Sequence, residues 1–411
     1  MSPSPTSLQP VENPQIIDLF AGPGGLDIAA KVLGIPSVGI ELDDDACATR
    51  TAAGLVTKQG DVCDFSATNF PAATVLTGGP PCQTYTVAGN GAGRQALDNV
   101  LEFVDRLVDR EDWNTLKAKL DADFADKRTG LVLQPLRWAL DALDAERPYE
   151  AIVLEQVPAV LPVWQAYAKA LAQRYHVWCG VLHTEEFGVP QTRRRAVLLA
   201  RLREAGADDE CCTLSKTGPC ALLEPRPTHQ RYRANAPRPV RRGKVAPWIS
   251  MGKALHHLRG DEFVVVSNYG SGGDPKKRGR RTSNEPSATV TGKISRNRIE
   301  VPLGTLPARA WRRSRFSNQE AGHLQTFPLQ YPWSGRAIAQ QIGNAVPPRF
   351  ALHILCTALA LGKPEDWVLT TLKHWDPERE RRVLEAAQKR AAVSARVPAA
   401  RSAISLPRTG A

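Results

Sequence analysis

Cys82 is the residue whose type and setting suggest chemistry most directly. It follows Gly78-Gly79-Pro80-Pro81, shortly after a predicted buried strand over 73–76. These glycines and prolines hold the loop in a tight backbone path, because glycine supplies unusual dihedral angles and proline fixes φ. A thiol attacks only as its thiolate, so a reactive Cys82 needs a nearby positive charge or helix start. The alternative is a buried, inert cysteine, and the choice depends on its partners.

Glu155 and the arginines at 193–195 are the candidate partners. Glu155 ends a predicted strand over 149–157, where a lone buried carboxylate is costly. If it faces Cys82 across the sheet edge, burial favours its protonated form and makes it a candidate proton donor; the alternative is an acid that caps the turn at Pro158. The arginines precede a further predicted strand, and their guanidinium groups suit carbonyl oxygens and phosphates alike.

A second set of residues is typical of a nucleotide site. An apolar strand over 15–20 leads into the glycine turn 21–25 and then into a helix over 26–33. Such a turn lets a ligand approach backbone N–H groups at the helix start. Glu41 ends the next strand, nineteen positions after Gly22, where its carboxylate can accept hydrogen bonds from ribose hydroxyls. Asp61 is placed to hold an adenine amino group. The pattern fits any adenosine-containing cofactor; the alternative is a tight turn with a surface acid.

Length and charge indicate a protein of two lobes that binds a polyanion. The chain is 42% hydrophobic, which is enough to form a full core. Its 411 residues are more than one compact unit usually needs, which indicates two lobes. The segment 225–315 holds 21 Lys and Arg against 5 Asp and Glu, a net charge of +16, which leaves −5 for the rest of a chain at +11. A basic segment on an acidic body favours a nucleic-acid backbone, and the alternative is a solvated basic linker.

The remaining features predict a cytoplasmic protein without metal. No run resembles a membrane span, and residues 1–14 are polar and rich in proline and serine, so we expect a disordered tail. Cys211, Cys212, Cys220 and His229 match no standard zinc-ligand spacing. The cysteines show no disulfide framework, which suits a reducing compartment; they are Cys47, Cys63, Cys82, Cys179, Cys211, Cys212, Cys220 and Cys356.

Taken together, the motifs resemble the C5-cytosine DNA methyltransferase family over residues 16–361. Several blocks occur in the family's order, and an ordered set is far more specific than one motif. The blocks are Asp-Leu-Phe-Ala-Gly-Pro-Gly-Gly at 18–25, Gly-Pro-Pro-Cys-Gln at 79–83, Glu-Gln-Val at 155–157, Gln-Thr-Arg-Arg-Arg at 191–195, Glu-Pro-Ser-Ala-Thr-Val-Thr-Gly at 285–292 and Gly-Asn-Ala-Val-Pro-Pro at 343–348.

The resemblance implies a mechanism on duplex DNA with S-adenosylmethionine as methyl donor. Cys82 adds to C6 of a cytosine that is swung out of the helix, while Glu155 protonates or hydrogen-bonds N3. The activated C5 then takes the methyl group. The resemblance assigns Arg195 to the cytosine carbonyl and Arg193 to the support of Glu155. The implied cofactor contacts are Phe20, Gly22, Gly24, Leu26, Glu41, Asp61, Pro80 and Asn344.

The same resemblance predicts a doubly wound, Rossmann-like α/β catalytic domain with a smaller basic target-recognition domain. We place the catalytic domain at 15–201, completed by 336–362, and the recognition domain at 202–335. Residues 363–411 are expected to be a helical or disordered tail. We expect a monomer, and a cognate restriction endonuclease is a possible partner.

Three departures from the family pattern affect the expected site. Gln156 stands where the family usually has Asn, and 84–86 replaces the usual residues after the Cys-Gln pair. The predicted helical stretch 91–126 is longer than the usual link to the next block. None of these removes a catalytic group.

Other functions remain open at this stage. A nicotinamide-dependent dehydrogenase also has the strand, glycine turn and acid, but it gives no reason for the basic segment or the loop of Cys82. An RNA methyltransferase of the same family is nearer. A third alternative is a DNA-binding protein with an inactive site, and the presence together of Cys82, Glu155 and Arg195 speaks against it.

Overall fold

A seven-stranded sheet forms the larger part of the structure, which is a computed structural model. It describes residues 8–81, 92–123, 126–203, 220–236, 240, 243, 245–259, 262–270, 278–302, 311–374, 376, 378 and 382. The strands of the sheet are β1 (Ile16–Leu19), β2 (Ser37–Glu41), β3 (Thr57–Gln59), β4 (Val75–Gly78), β5 (Ala151–Gln156), β6 (Tyr175–His183) and β8 (Arg194–Leu202).

The strand order is β3-β2-β1-β4-β5-β8-β6, and β8 is antiparallel to both of its neighbours while the pairs from β3 to β5 are parallel. The order reverses between β1 and β4, which is where open α/β sheets bind ligands at the carboxyl ends of their strands. The sequence-predicted α/β architecture with a parallel-rich central sheet is therefore confirmed.

Helices cover both faces of this sheet because neighbouring strand residues point to opposite sides. In β1, Ile16 packs in one apolar cluster and Ile17 in the other. The first cluster includes side chains of α1 (Gly25–Val32), α10 (Pro348–Ala358) and α11 (Asp366–Lys373). The second includes side chains of α3 (Ala92–Val108), α4 (Trp113–Asp123), α5 (Gln134–Asp144) and α6 (Leu161–Leu171). Helix α2 (Asp44–Ala52) follows β2.

A four-stranded antiparallel sheet lies in the basic part of the chain. Its order is β10 (Arg278–Thr282), β9 (Val264–Gly270), β12 (Arg298–Pro302) and β13 (Trp311–Ser314). It has its own apolar cluster with α7 (Met251–Ala254) and α8 (Asn318–Leu324), and this cluster reaches Ile342 of α9 (Ile338–Asn344). The short strands β7 (Gln191–Thr192) and β11 (Ser287–Ala288) pair in parallel and join the two parts.

Several local expectations can be compared with this structure. The apolar stripe on the predicted helix over 100–107 is buried in the core, as packing rather than function. Residues 8–14 differ from the expected disordered tail, since Val11 is buried and its N–H donates to the carbonyl of Leu359. In the expected tail after 362, Val368 and Leu372 of α11 are also buried. The helix in the second segment agrees with the expected helical tail, and the burial in both segments arises from apolar residues that find partners far away in sequence. No helix in the described ranges is long and apolar enough to cross a membrane.

Candidate active site

A cleft of about 800 Å³ opens at the carboxyl edge of the sheet, where the strand order reverses. It lies where sequence analysis placed the site. The cleft is lined by ten of the twelve residues expected there, which are Phe20, Gly22, Leu26, Glu41, Asp61, Pro80, Glu155, Arg193, Arg195 and Asn344. Cys82 lies outside the described residues.

The turn after β1 has a backbone path that requires glycine at two positions. Phe20 has φ 58° and Gly22 has φ 53°, so the backbone enters the left-handed region where the strand becomes the turn. Gly24 has φ 99°, and a Cβ there would lie 2.2 Å from Cδ1 of Leu55. Gly24 does not line the cleft, and its N–H donates to the carbonyl of Ala21. Gly24 therefore lets α1 start and pack, and its expected contact with a cofactor stays a prediction.

Glu41 is held at the rim of the cleft by backbone donors. The N–H of Gly22 donates to Oε2 at 2.7 Å, and the N–H groups of Leu42 and Asp43 donate to Oε1 at 2.8 Å each. A carboxylate has about four acceptor positions, so these three bonds fix its orientation and leave room for about one further donor. The carboxylate joins the glycine turn to the end of β2.

Asp61 is oriented in a similar way at the next rim position. Its Oδ1 accepts a hydrogen bond of 2.8 Å from the N–H of Cys63. Arg137 supports this loop from below, because its guanidinium donates to the carbonyls of Val62 and Phe65. Trp113 of α4 stacks on that guanidinium at 5.2 Å. The helical stretch that is longer than the family's usual link thus buttresses the loop of Asp61.

Glu155 and Arg195 form an ion pair at the floor of the cleft. Nε of Arg195 lies 2.8 Å from Oε1 of Glu155, with 11% and 6% of the two side chains exposed. The approach is not aligned as a hydrogen bond, and Oε1 accepts none from the described residues. A Cβ built on Gly79 would lie 3.9 Å from Oε2, so the carboxylate lies beside the loop that leads to Cys82. The group has hydrogen-bonding capacity left for a substrate.

Arg193 has other contacts than the expected support of Glu155. Its Nη1 donates to the carbonyl of Val290 at 3.0 Å, and its Nη2 donates to the carbonyls of Gly343 and Ala345 at 3.0 and 3.2 Å. Burial lowers its pKa, and the charge of Arg195 lowers it further. Arg193 therefore ties together three backbone segments, while the direct contact with Glu155 belongs to Arg195.

The side chain of Gln156, at the end of β5, contacts the loop that follows β4. Its side-chain amide donates from Nε2 to the carbonyl of Pro80 and accepts at Oε1 from the N–H of Val157. The end of β5 is thereby joined to the loop that follows β4. The longer amide is thus used to hold this loop.

Sequence analysis missed some residues of the cleft. Arg128 and Leu131 line it from a short 3-10 helix before α5, and Leu42 lines it while 62% exposed. For Leu42 the sequence gives one indication, which is that this leucine directly follows Glu41, the candidate ribose acid. No local pattern marks Arg128 and Leu131, and only the tertiary packing brings them to the cleft.

The fold is α/β, with a cleft at the carboxyl edge of a parallel-rich sheet, which is the usual position of a ligand site in such folds. A family model described as C-5 cytosine-specific DNA methylase matches residues 14–108 and 122–358. The chain therefore belongs to the C-5 cytosine-specific DNA methylase family. It is a DNA methyltransferase, and its substrate is DNA.

Individual relatives are distant in sequence but similar in extent. The Type II methyltransferase M.NgoFVII of Neisseria gonorrhoeae is 23% identical over 382 residues, which is 85% of this chain and 87% of the relative. M.Eco47II of Escherichia coli is 25% identical over 353 residues, covering 82% and 77%. Among solved structures, the S. pombe Dnmt2 methyltransferase shares 15% identity with a TM-score of 0.49, over 84% of this chain and 98% of that one.

Proposed function

We propose that this enzyme methylates C5 of a cytosine in a specific duplex DNA sequence, with S-adenosylmethionine as the donor and the target base swung out of the helix. The observation that carries the proposal is the Glu155–Arg195 ion pair in the cleft, beside the loop of Gly79 and Pro80. It places an acid and a guanidinium next to the loop that bears the only residue in the motif able to act as a nucleophile.

The residues of the cleft fit this cofactor. S-adenosylmethionine supplies an electrophilic methyl group. Glu41 keeps an acceptor position for a ribose hydroxyl, and the carboxylate of Asp61, oriented by the N–H of Cys63, lines the cleft where an adenine amino group would bind. Phe20 offers a ring at the cleft wall. A cavity of about 800 Å³ is within the range of small-molecule sites.

The chain's own residues perform the activation of the base. The Cys82 sulfur bonds to C6 while Glu155 gives a proton or hydrogen bond to N3, so electron density moves to C5. After methylation a base removes the C5 proton and the sulfur leaves. We propose that Arg195 donates to the cytosine carbonyl oxygen while it keeps its ion pair with Glu155. A guanidinium carries five N–H donors, which is enough for both contacts. Gln156 holds the loop of Cys82 against β5.

We assign target recognition to the four-stranded sheet within 202–335. Arg278, Arg280, Arg281 and Arg298 on its strands are at least partly exposed, which suits contacts to phosphates and base edges. The name Type II methyltransferase of the relatives supports a role in restriction and modification, in which the chain protects DNA from a cognate endonuclease.

Methyl transfer to DNA tests the proposal. The full chain is incubated with tritium-labelled S-adenosylmethionine and duplex DNA, and bisulfite sequencing of the product locates the base and its context. A duplex with 5-fluorocytosine should form a covalent adduct. Cys82→Ser should abolish both signals, and Cys179→Ser, the same change at a cysteine of β6 that does not line the cleft, should abolish neither. Label in tRNA but not in DNA, or full activity of Cys82→Ser, would contradict the proposal.

A further inference from the structure

A group of charged and titratable residues lies at the same edge of the sheet as the cleft but outside its lining. His183 ends β6, and Arg194, which begins β8, is its partner in the register of the two strands. The pairing of β5 with β8 ends at Gln156 and Ala196, so Arg194 lies just beyond the end of the strand that carries Glu155. Neither Arg194 nor Arg231 lines the cleft. The mechanism above does not use these groups.

Arg231 is oriented by a neutral histidine. Its Nη2 lies 2.5 Å from Nε2 of His183. Burial and the charges of Arg231 and Arg194 lower the pKa of His183 to about 4, so the ring is neutral at pH 7. Because Nε2 must accept from a guanidinium that has only donors, the ring proton is on Nδ1, which faces Oε1 of Glu185 at 3.6 Å.

The acid behind this histidine does not neutralise the two arginines. Glu185 is 2% exposed, and its Oε2 has no hydrogen-bond partner in the described part of the chain. Burial raises its pKa to about 7. Arg194 and Arg231 are both exposed, and neither forms an ion pair with a carboxylate in the ranges that the structure describes. The two guanidinium groups therefore lie beside one neutral ring. The carboxylates whose pKa burial raises and the charge of Arg231 lowers, Glu185 and Glu186, form no ion pair with either arginine in the described part of the chain.

We propose that Arg194 and Arg231 together bind one backbone phosphate of the substrate DNA beside the flipped cytosine, with His183 as a positioning residue for Arg231. Guanidinium forks match phosphate oxygens, and phosphate contacts set the register of a protein on a duplex without reading sequence. Arg194 begins β8 at the edge of the sheet where the cleft opens, and on this basis we assign the phosphate to the target nucleotide or its neighbours. This inference rests on the proposed function, because it takes duplex DNA as the ligand.

Salt dependence gives the first test, with the full chain and a duplex that contains the target sequence. Removing one phosphate-binding charge reduces the slope of log K against log salt by about 0.9. Arg194→Gln and Arg231→Gln should each weaken binding about tenfold at moderate salt and reduce the slope. Arg147→Gln removes the same charge from an exposed site before β5, at the opposite edge of the sheet, and should do neither. Thermal unfolding of each variant verifies folding.

Neutral methylphosphonate links, placed one at a time around the target cytosine, locate the phosphate. One position should weaken the wild-type complex about tenfold, and Arg194→Gln or Arg231→Gln should show no additional loss at that position alone. His183→Phe should behave like Arg231→Gln, while His183→Gln, which keeps an acceptor atom, should restore the response. If the variants lose affinity equally at every position, or match Arg147→Gln, the phosphate site is wrong. If the wild type neither binds nor methylates the duplex, the proposed function itself has failed.

Discussion

At the scale of single residues, the site depends on polar side chains that are bound to the surrounding protein and can still form a hydrogen bond with a ligand. Glu41 accepts from three backbone N–H groups and Glu155 faces Arg195, so each carboxylate is fixed before any ligand binds. Preorganised groups of this kind lower the cost of orienting the reactants. Gln156 serves the same purpose for the loop of Cys82, and its amide can be tested directly.

Gln156→Glu keeps the size of the side chain but removes the donor to the carbonyl of Pro80. Two acceptors would then face each other in a buried site, which costs on the order of 2 kcal/mol. We expect the single-turnover rate of methyl transfer to fall at least tenfold, with little change in cofactor affinity. Gln173→Glu, the same change at an exposed position before β6, is the control. A wild-type rate for Gln156→Glu would show that the amide does not hold the loop.

The raised pKa of Glu185 predicts that this residue changes the stability of the fold with pH. Its folded-state pKa of about 7 lies above the ordinary value of 4.5, so the unfolded chain releases this proton first as the pH rises. The folded state is therefore relatively favoured below pH 4.5 and loses that advantage as the pH rises to about 7. Glu185→Gln should raise the free energy of unfolding at pH 8 by about 2 to 3 kcal/mol and leave it nearly unchanged at pH 5. Urea unfolding at both values measures this, and an equal effect at both would exclude the titration of Glu185 as its cause.

At the scale of elements, one buried guanidinium joins segments that are distant in sequence. Arg193 precedes β8 and donates to carbonyls near β11 and at the end of α9. These contacts join the segment after β11 and the end of α9 to the start of β8 in the seven-stranded sheet. A lysine at this position keeps the charge but cannot reach three carbonyls with a planar fork.

Arg193→Lys should therefore destabilise the fold rather than act on chemistry alone. Loss of these bonds, with carbonyls left unpaired, should lower the free energy of unfolding by about 2 to 4 kcal/mol in urea titration. Arg195→Lys, the same change two residues away, should lower the rate of methyl transfer with a smaller effect on stability. A stable Arg193→Lys variant with a normal urea midpoint would indicate that the carbonyls have other partners.

The elements themselves could be predicted from the sequence where the signal is local. The strand, glycine turn and helix at 16–32 and the acid at the end of β2 follow from short-range pattern and spacing. The choice between Arg193 and Arg195 as partner of Glu155 could not be predicted. Residues two apart on a regular strand share a face, and only the tertiary contacts show that Arg193 bonds to backbone carbonyls while Arg195 pairs with Glu155. The burial of Val11 also depends on contact with residue 359, which no local pattern contains.

At the scale of the whole molecule, two apolar clusters on opposite faces of the sheet leave titratable groups buried between elements. His353 of α10 is 4% exposed, packs on Phe187 at 5.3 Å, and has no partner for Nε2 in the described ranges. His229, from the basic part of the chain, is also shielded from water. Burial, together with the charge of Arg349, lowers the pKa of His353 to about 3 and that of His229 to about 4. Both rings are neutral in the folded protein.

Acid should therefore destabilise the fold through these histidines. Their folded pKa values lie below the ordinary 6.5, so the unfolded chain takes up protons first as the pH falls, and stability is lost from about pH 6.5 down to about pH 3 to 4. For His353 the loss is on the order of 4 kcal/mol. His353→Leu should flatten this acid limb in urea unfolding at pH 7, 6 and 5, whereas His374→Leu at an exposed helix end should not. If the loss of stability with falling pH is the same in His353→Leu as in the wild type, protonation of His353 is not its cause, and other groups produce the acid sensitivity.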